Sequence, residues 1–151
     1  MKTRAFIFLF VFVFLGSFAF CNPYDPYMGN ARKVIKSVNG AAPSWDKIVS
    51  LTRQAYKIRY SFDPKINPYT PQSPQETERL QSGDCKAKSL WLIQKLNYPG
   101  AKFCIGKMTR SSPGMSHAWV EIQYNGRKVV LDPTNYPDPQ SPSNYFPHYK
   151  W

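Results

Sequence analysis

Three side chains of this 151-residue chain have the chemistry to break or exchange an acyl bond: Cys85, His117 and Asp132. A thiolate is a strong nucleophile, an imidazole can pass its proton on, and a carboxylate can hold that imidazole in one tautomer. Each residue alone has an ordinary explanation. A single cysteine usually packs, a strand histidine is usually structural, and an Asp before a Pro often only starts a turn. The case for a site therefore rests on mutual placement, which the surrounding elements determine.

Cys85 stands at the head of a helix predicted over 85–97, capped by Ser82 or Asp84 and ended by Pro99-Gly100. Ala87, Leu90, Trp91, Leu92, Ile93 and Leu96 make this helix apolar around most of its circumference, the mark of a helix buried on several sides. A sulfur in a first helical turn lies among unpaired N–H groups at the positive end of the helix dipole, which favours the thiolate. Lys86 and Lys88 add positive charge, and the opposing Asp84 carboxylate is engaged as a cap.

His117 and Asp132 are brought together by a hairpin. Strands are predicted over 102–108, 117–124 and 127–132, and Asn125-Gly126 is a two-residue turn between the last two. That turn sets Tyr124 opposite Arg127, Ile122 opposite Val129, Val120 opposite Leu131 and Trp119 opposite Asp132. Ala118, Val120, Ile122, Val129 and Leu131 then share an apolar, core-directed face. His117, Trp119, Glu121, Val130 and Asp132 share the other, with His117 and Asp132 as diagonal neighbours in hydrogen-bonding reach.

Upstream, residues 22–29 read as irregular, 31–38 as a short helix, and Ser44 as the cap of a longer helix to about residue 59. Pro64, Pro68, Pro71 and Pro74 exclude regular structure before Ser73. Ser73-Pro74-Gln75-Glu76 opens a short helix to about Leu80, with Glu76 in position to reach back to the cap. Residues 133–151 show no periodicity, and the rings of Tyr136, Tyr145, Phe146, Tyr149 and Trp151 are expected to pack on the domain or near the cleft.

Ser82-Gly83-Asp84-Cys85, His117-Ala118-Trp119-Val120-Glu121 and Leu131-Asp132-Pro133-Thr134 resemble the three motifs of the transglutaminase-like superfamily, and Ser73-Pro74-Gln75-Glu76-Thr77 resembles a run preceding the cysteine in its bacterial members. The resemblance spans about residues 60–135. It implies an α+β fold with a papain/transglutaminase-like core, a buried Cys-bearing helix on a small antiparallel sheet. It also implies acyl transfer through a thioester by a Cys85, His117, Asp132 triad. The chain departs from the family's pattern in having Lys86-Ala87-Lys88 where an acidic residue often follows the cysteine, and Pro71-Gln72 where many members carry a Trp. Gln72 is a candidate second oxyanion donor, beside the Cys85 backbone N–H.

The domain division read from the sequence is a signal peptide at 1–19, a transglutaminase-like domain at 20–136 and a Pro- and aromatic-rich tail at 137–151. Lys2 and Arg4, an apolar run over 5–15 and the small residues Ser17 and Ala19 carry the first assignment. Export to the periplasm, the cell envelope or the medium follows, with lipidation of Cys21 a second reading that Phe20 disfavours. The formal charge is +11, and beyond residue 19 it is +9, from 18 basic against 9 acidic residues. In an exported protein such an excess points away from nucleic acid and towards anionic cell-envelope polymer, or serves solubility alone. The expected partner is a protein or peptide substrate, the expected state a monomer, and no cofactor or metal motif is read.

Three cysteines leave at least one without a partner in the chain. Cys104 is expected to pack in the interior or to pair with Cys21. The main reading is a cysteine peptidase or amidase. One alternative is an acyltransferase that cross-links or deamidates Gln side chains. The other is a non-catalytic binding module, which a Cys85–Cys104 disulfide would favour.

Overall fold

The computed structural model describes residues 22–62, 69–110 and 116–151. The predicted signal peptide, Cys21, Pro64, Pro68 and residues 111–115 lie outside the described residues.

After a short 3-10 turn, α1 (Gly29–Ser37) and α2 (Trp45–Lys57) begin the domain, with Ser44 Oγ accepting from the Lys47 N–H at 3.3 Å as the cap of α2. A two-residue strand, β1 (Arg59–Tyr60), precedes α3 (Pro74–Leu80). Ser73 caps α3 by accepting from the Glu76 N–H, while the Glu76 carboxylate pairs with Arg79 at 2.6 Å instead of reaching back. β2 (Ser82–Gly83) pairs in parallel with β1 and leads into α4 (Cys85–Leu96). α4 ends at Asn97, which takes the left-handed conformation at φ 50°, two residues before the predicted Pro-Gly stop.

The main sheet comprises β3 (Lys102–Lys107), β4 (His117–Tyr124), β5 (Arg127–Leu131) and β6 (Phe146–Lys150), antiparallel throughout in the order β5-β4-β3-β6. The β4–β5 register pairs Tyr124 with Arg127, Ile122 with Val129 and Val120 with Leu131, as the turn requires. Asn125 and Gly126 both have positive φ, 48° and 74°, the backbone of a type I′ turn.

α4 runs through the centre, against α1, α2 and α3 on one side and β3 and β4 on the other. Leu90, Leu92, Ile93 and Leu96 are at most 1% exposed and meet Phe103, Ala118, Val120, Ile122 and Leu131 from the sheet. Each such aliphatic side chain contributes about 1.5–3 kcal/mol of burial. The opposite face of the sheet is also covered, with Cys104, Trp119, Val130 and Tyr145 forming a second buried cluster. The fold is thus α+β, with a cysteine-bearing helix buried on an antiparallel sheet. Among the described residues no helix is long and apolar enough to cross a membrane.

Two features exceed the sequence reading, the β1–β2 pair and the fourth strand β6. β6 lies at the sheet edge and contains Pro147, which has no N–H to donate, and its register against β3 shifts between Ile105 and Gly106. A proline-interrupted edge strand of this kind carries no alternating pattern.

Candidate active site

The β4–β5 hairpin sets His117 and Asp132 side by side, with His117 Nε2 2.9 Å from Asp132 Oδ2. The Asp132 side chain is fully buried and that of His117 is 16% exposed. A buried carboxylate must be surrounded by donors to remain ionised. Oδ1 accepts from the backbone N–H groups of Thr134 and Asn135 at 3.1 and 3.3 Å. Oδ2 accepts from His117, from Asn135 Nδ2 at 2.9 Å and from the Tyr145 hydroxyl at 3.0 Å. Burial pushes the Asp132 carboxyl up, but the bond and charge of His117 and the donors Asn135 and Tyr145 outweigh it, so it lies below its ordinary value.

Burial likewise opposes a charged His117. Hydrogen bonds to Asp132 and to Cys85, with the charges of both, prevail and raise the imidazole to about 9. The ring is therefore an imidazolium at neutral pH. Its Nε2–H points at Asp132, so Asn135 Nδ2, 3.2 Å from the same nitrogen, donates to the carboxylate and not to the ring. Nδ1 is left for the Cys85 sulfur. Trp119, fully buried, stacks beside the imidazole at 6.1 Å between centroids and 26° between planes, so it backs the ring and does not reach solvent.

Cys85 takes the first position of α4 because Asp84 caps that helix, its Oδ1 accepting from the Ala87 N–H at 2.9 Å. The other Asp84 oxygen pairs with Lys86 Nζ at 2.5 Å, so this acidic neighbour is neutralised. Gly83 is needed for close approach, since a Cβ there would stand 2.6 Å from the Ala87 Cβ. Cys85 is 8% exposed, and among the described residues both it and Cys104 are free thiols. Burial, with the negative charge of Glu121, pushes the Cys104 thiol up to about 12.

Cys85 and His117 open into one cavity of about 330 Å³ walled by Tyr24, Tyr60, Phe62 and Tyr69. Burial, then the negative charges of Cys85 and Asp84, raise the Tyr60 phenol, which marks its closeness to the sulfur. A smaller cavity of about 100 Å³ continues from it, sharing Tyr24, Ile105 and Ser116 and reaching Lys107 and His148. Gln72 does not line either cavity. Its Nε2 donates to Thr77 Oγ1 at 3.2 Å and to the Ser82 carbonyl at 3.1 Å, bracing the segment that leads to Cys85. An oxyanion role requires it to exchange one of these bonds.

The structure thus brings Cys85, His117 and Asp132 together and sets Gln72 one segment away. Neither Asn135 nor Tyr145 is read from the sequence as a partner of Asp132. Asn135 lies in the turn that Asp132 opens, so its backbone N–H and its side chain both fall within three residues of the carboxylate. Tyr145 is expected from the sequence only to pack on the domain or near the cleft; its bond to Asp132 depends on the path of the chain between β5 and β6.

No protein-family model matches the chain. No curated protein matches it either. Solved structures do. The calcium-bound LapG of Legionella pneumophila superposes with a TM-score of 0.58 at 16% identity, over 85% of this chain and 79% of that one. A second LapG structure from the same organism superposes at 0.56 and 15% identity, over the same shares. A candidate cysteine protease from Cytophaga hutchinsonii gives 0.50 at 19% identity, over 72% of this chain but only 39% of that one. The likeness shows that this chain shares the fold of LapG and of the Cytophaga protein. One of these neighbours holds calcium, whereas among the described residues of this chain no group of three or more His, Cys, Asp or Glu side chains is placed to hold a metal ion.

Proposed function

We propose that this protein is an exported cysteine hydrolase that cleaves amide bonds of a peptide or protein substrate through a thioester on Cys85. The observation that carries the reading is the His117 imidazole, held between a sulfur at a helix start and a buried carboxylate with all its lone pairs directed at donors.

In this mechanism the Cys85 thiolate attacks the amide carbonyl, and the S–C bond forms as the carbonyl oxygen becomes an oxyanion. The Cys85 backbone N–H, at the first position of α4, is one donor to that oxygen, and Gln72 is the candidate for the second. Collapse of the intermediate breaks the C–N bond, and the His117 Nδ1 proton goes to the leaving amine. Asp132 holds the ring and its charge throughout. A water molecule, deprotonated by the now neutral His117, then hydrolyses the thioester.

The aromatic wall of the cavity fits an extended segment carrying a large apolar side chain, and the basic surface fits a setting rich in anionic polymer. Export rests on residues 1–19 read as a signal peptide.

The test is iodoacetamide labelling read by peptide mass spectrometry, followed by turnover of a peptide library. At about pH 6, Cys85 is expected to react while Cys104 stays unmodified, and Cys85→Ala is expected to abolish amide cleavage. A Cys85 no more reactive than Cys104 sinks the proposal. Ammonia release that an added primary amine converts into amide formation identifies acyl transfer in place of hydrolysis.

A further inference from the structure

Lys88 occupies a position where an apolar residue is expected. Lysine is almost never fully buried unless paired. Yet Lys88, on the central helix α4, is 2% exposed and among the bulkiest fully buried side chains of the protein. Its Nζ donates to the Tyr56 backbone carbonyl at 3.1 Å and stands 5.7 Å from the centre of the Tyr56 ring. Both contacts are neutral and neither balances the ammonium charge.

The charges that face it belong to the candidate site. Lys88 follows Cys85 by three residues and so lies one turn along the same helix face. The anions acting on it are Asp132, from the end of β5, and Cys85 itself. α2 contributes Tyr56, and β4 contributes His117 beside Asp132. Lys86, also on α4, is taken up by Asp84.

A thiolate, a carboxylate and an imidazolium together leave one negative charge in a site where Asp132 is fully enclosed and His117 nearly so. An uncompensated charge in such surroundings is strongly disfavoured, and the cheapest relief is for the thiolate to take up a proton. We propose that Lys88 is the fourth charge of the site, a positioning residue that neutralises it as a whole and so holds Cys85 in its thiolate form. The inference rests on the nucleophile assignment above. Burial draws the Lys88 ammonium down to about 8 while Asp132 and Cys85 pull the other way, so the charge is present at neutral pH and is lost just above it.

The experiment compares full-length wild type with Lys88→Met, Lys88→Gln and Lys88→Arg. It reads Cys85 alkylation by iodoacetamide from about pH 5 to about pH 10, together with the urea midpoint. In Lys88→Met, alkylation at about pH 6 is expected to slow roughly three- to tenfold, and its half-maximal pH to move up, while the urea midpoint holds or rises. Lys88→Gln keeps a donor for the Tyr56 carbonyl without the charge and is expected to shift the profile equally. It also serves if the Met variant does not fold. Lys88→Arg, which keeps the charge, is expected to restore the profile. A lysine that is merely structural would lower the urea midpoint and leave the profile where it was. An unshifted profile in Met or Gln against a wild type reactive at low pH overturns this proposal alone. A wild type in which Cys85 reacts no faster than Cys104 overturns the nucleophile assignment with it.

Discussion

At Asp132 a single carboxylate gathers donors from four residues, and the state of His117 depends on it. Replacing it with Asn keeps the shape and removes the charge. The imidazole then keeps the burial that opposes its charged form and loses one of the two partners that overcame it, Cys85 remaining. In Asp132→Asn the His117 titration, followed by NMR, is expected to fall clearly below about 9. Amide cleavage is expected to drop at least about a hundredfold, because the wrong tautomer is then favoured. A His117 that still titrates near 9 would show that Asp132 is not its controlling partner. At this scale the sequence was most legible where neighbours are local. The His117–Asp132 contact followed from a two-residue turn and the alternation of a strand. The burial of Lys88 did not, because lysine is ordinarily solvated and only packing on every side of α4 overrides that preference.

Among the elements, α4 and the β4–β5 hairpin were readable because each carries its own signals, a cap and an apolar circumference in one case and a turn dipeptide with alternation in the other. β6 was not. It joins the sheet against β3, roughly forty residues upstream in the chain, and long-range edge pairing leaves little mark on local sequence. Its placement gives the C-terminal segment structural work. Gln140 exchanges backbone hydrogen bonds with Val130, Tyr145 covers Trp119 and bonds Asp132, and Trp151 pairs its backbone with Phe103. Deleting residues 137–151 is expected to expose the β3 edge and the Cys104, Trp119 and Val130 cluster. Loss of Tyr145 alone removes a buried hydrogen bond to a charged group, worth about 1.5–3 kcal/mol. The truncated protein should therefore show a much lower urea midpoint, or fail to fold. A midpoint equal to that of the full chain would contradict the role given to β6.

Across the whole molecule, the buried ionisable groups make stability depend on pH with a sign that can be worked out. His117 is raised from 6.5 to about 9, so its stabilisation is complete below about 6.5 and is lost as the pH climbs to about 9. Lys88 is lowered from 10.5 to about 8, so its penalty is complete below about 8 and is relieved only above that. Asp132 is lowered from 3.8, so its contribution is present above 3.8 and is lost in acid. The urea midpoint is expected to be highest in mildly acidic solution, to fall from about pH 6.5, and to fall less steeply above about pH 8, where the two bases oppose each other. His117→Asn should remove the decline between about 6.5 and 8. A wild-type midpoint flat across that interval would contradict the charged state assigned to the ring.

From the residues alone followed the three candidate side chains, the helix that bears Cys85 and the hairpin that carries His117 to Asp132. These follow because caps, turns and alternation act over a few residues, where chain geometry is nearly rigid. Only the folded chain decided what surrounds them: Tyr145 on the carboxylate, four aromatic rings around the cavity, and Lys88 sealed beside the site. Those contacts join segments far apart in sequence, and the packing of the whole core, not any local preference, sets their energies.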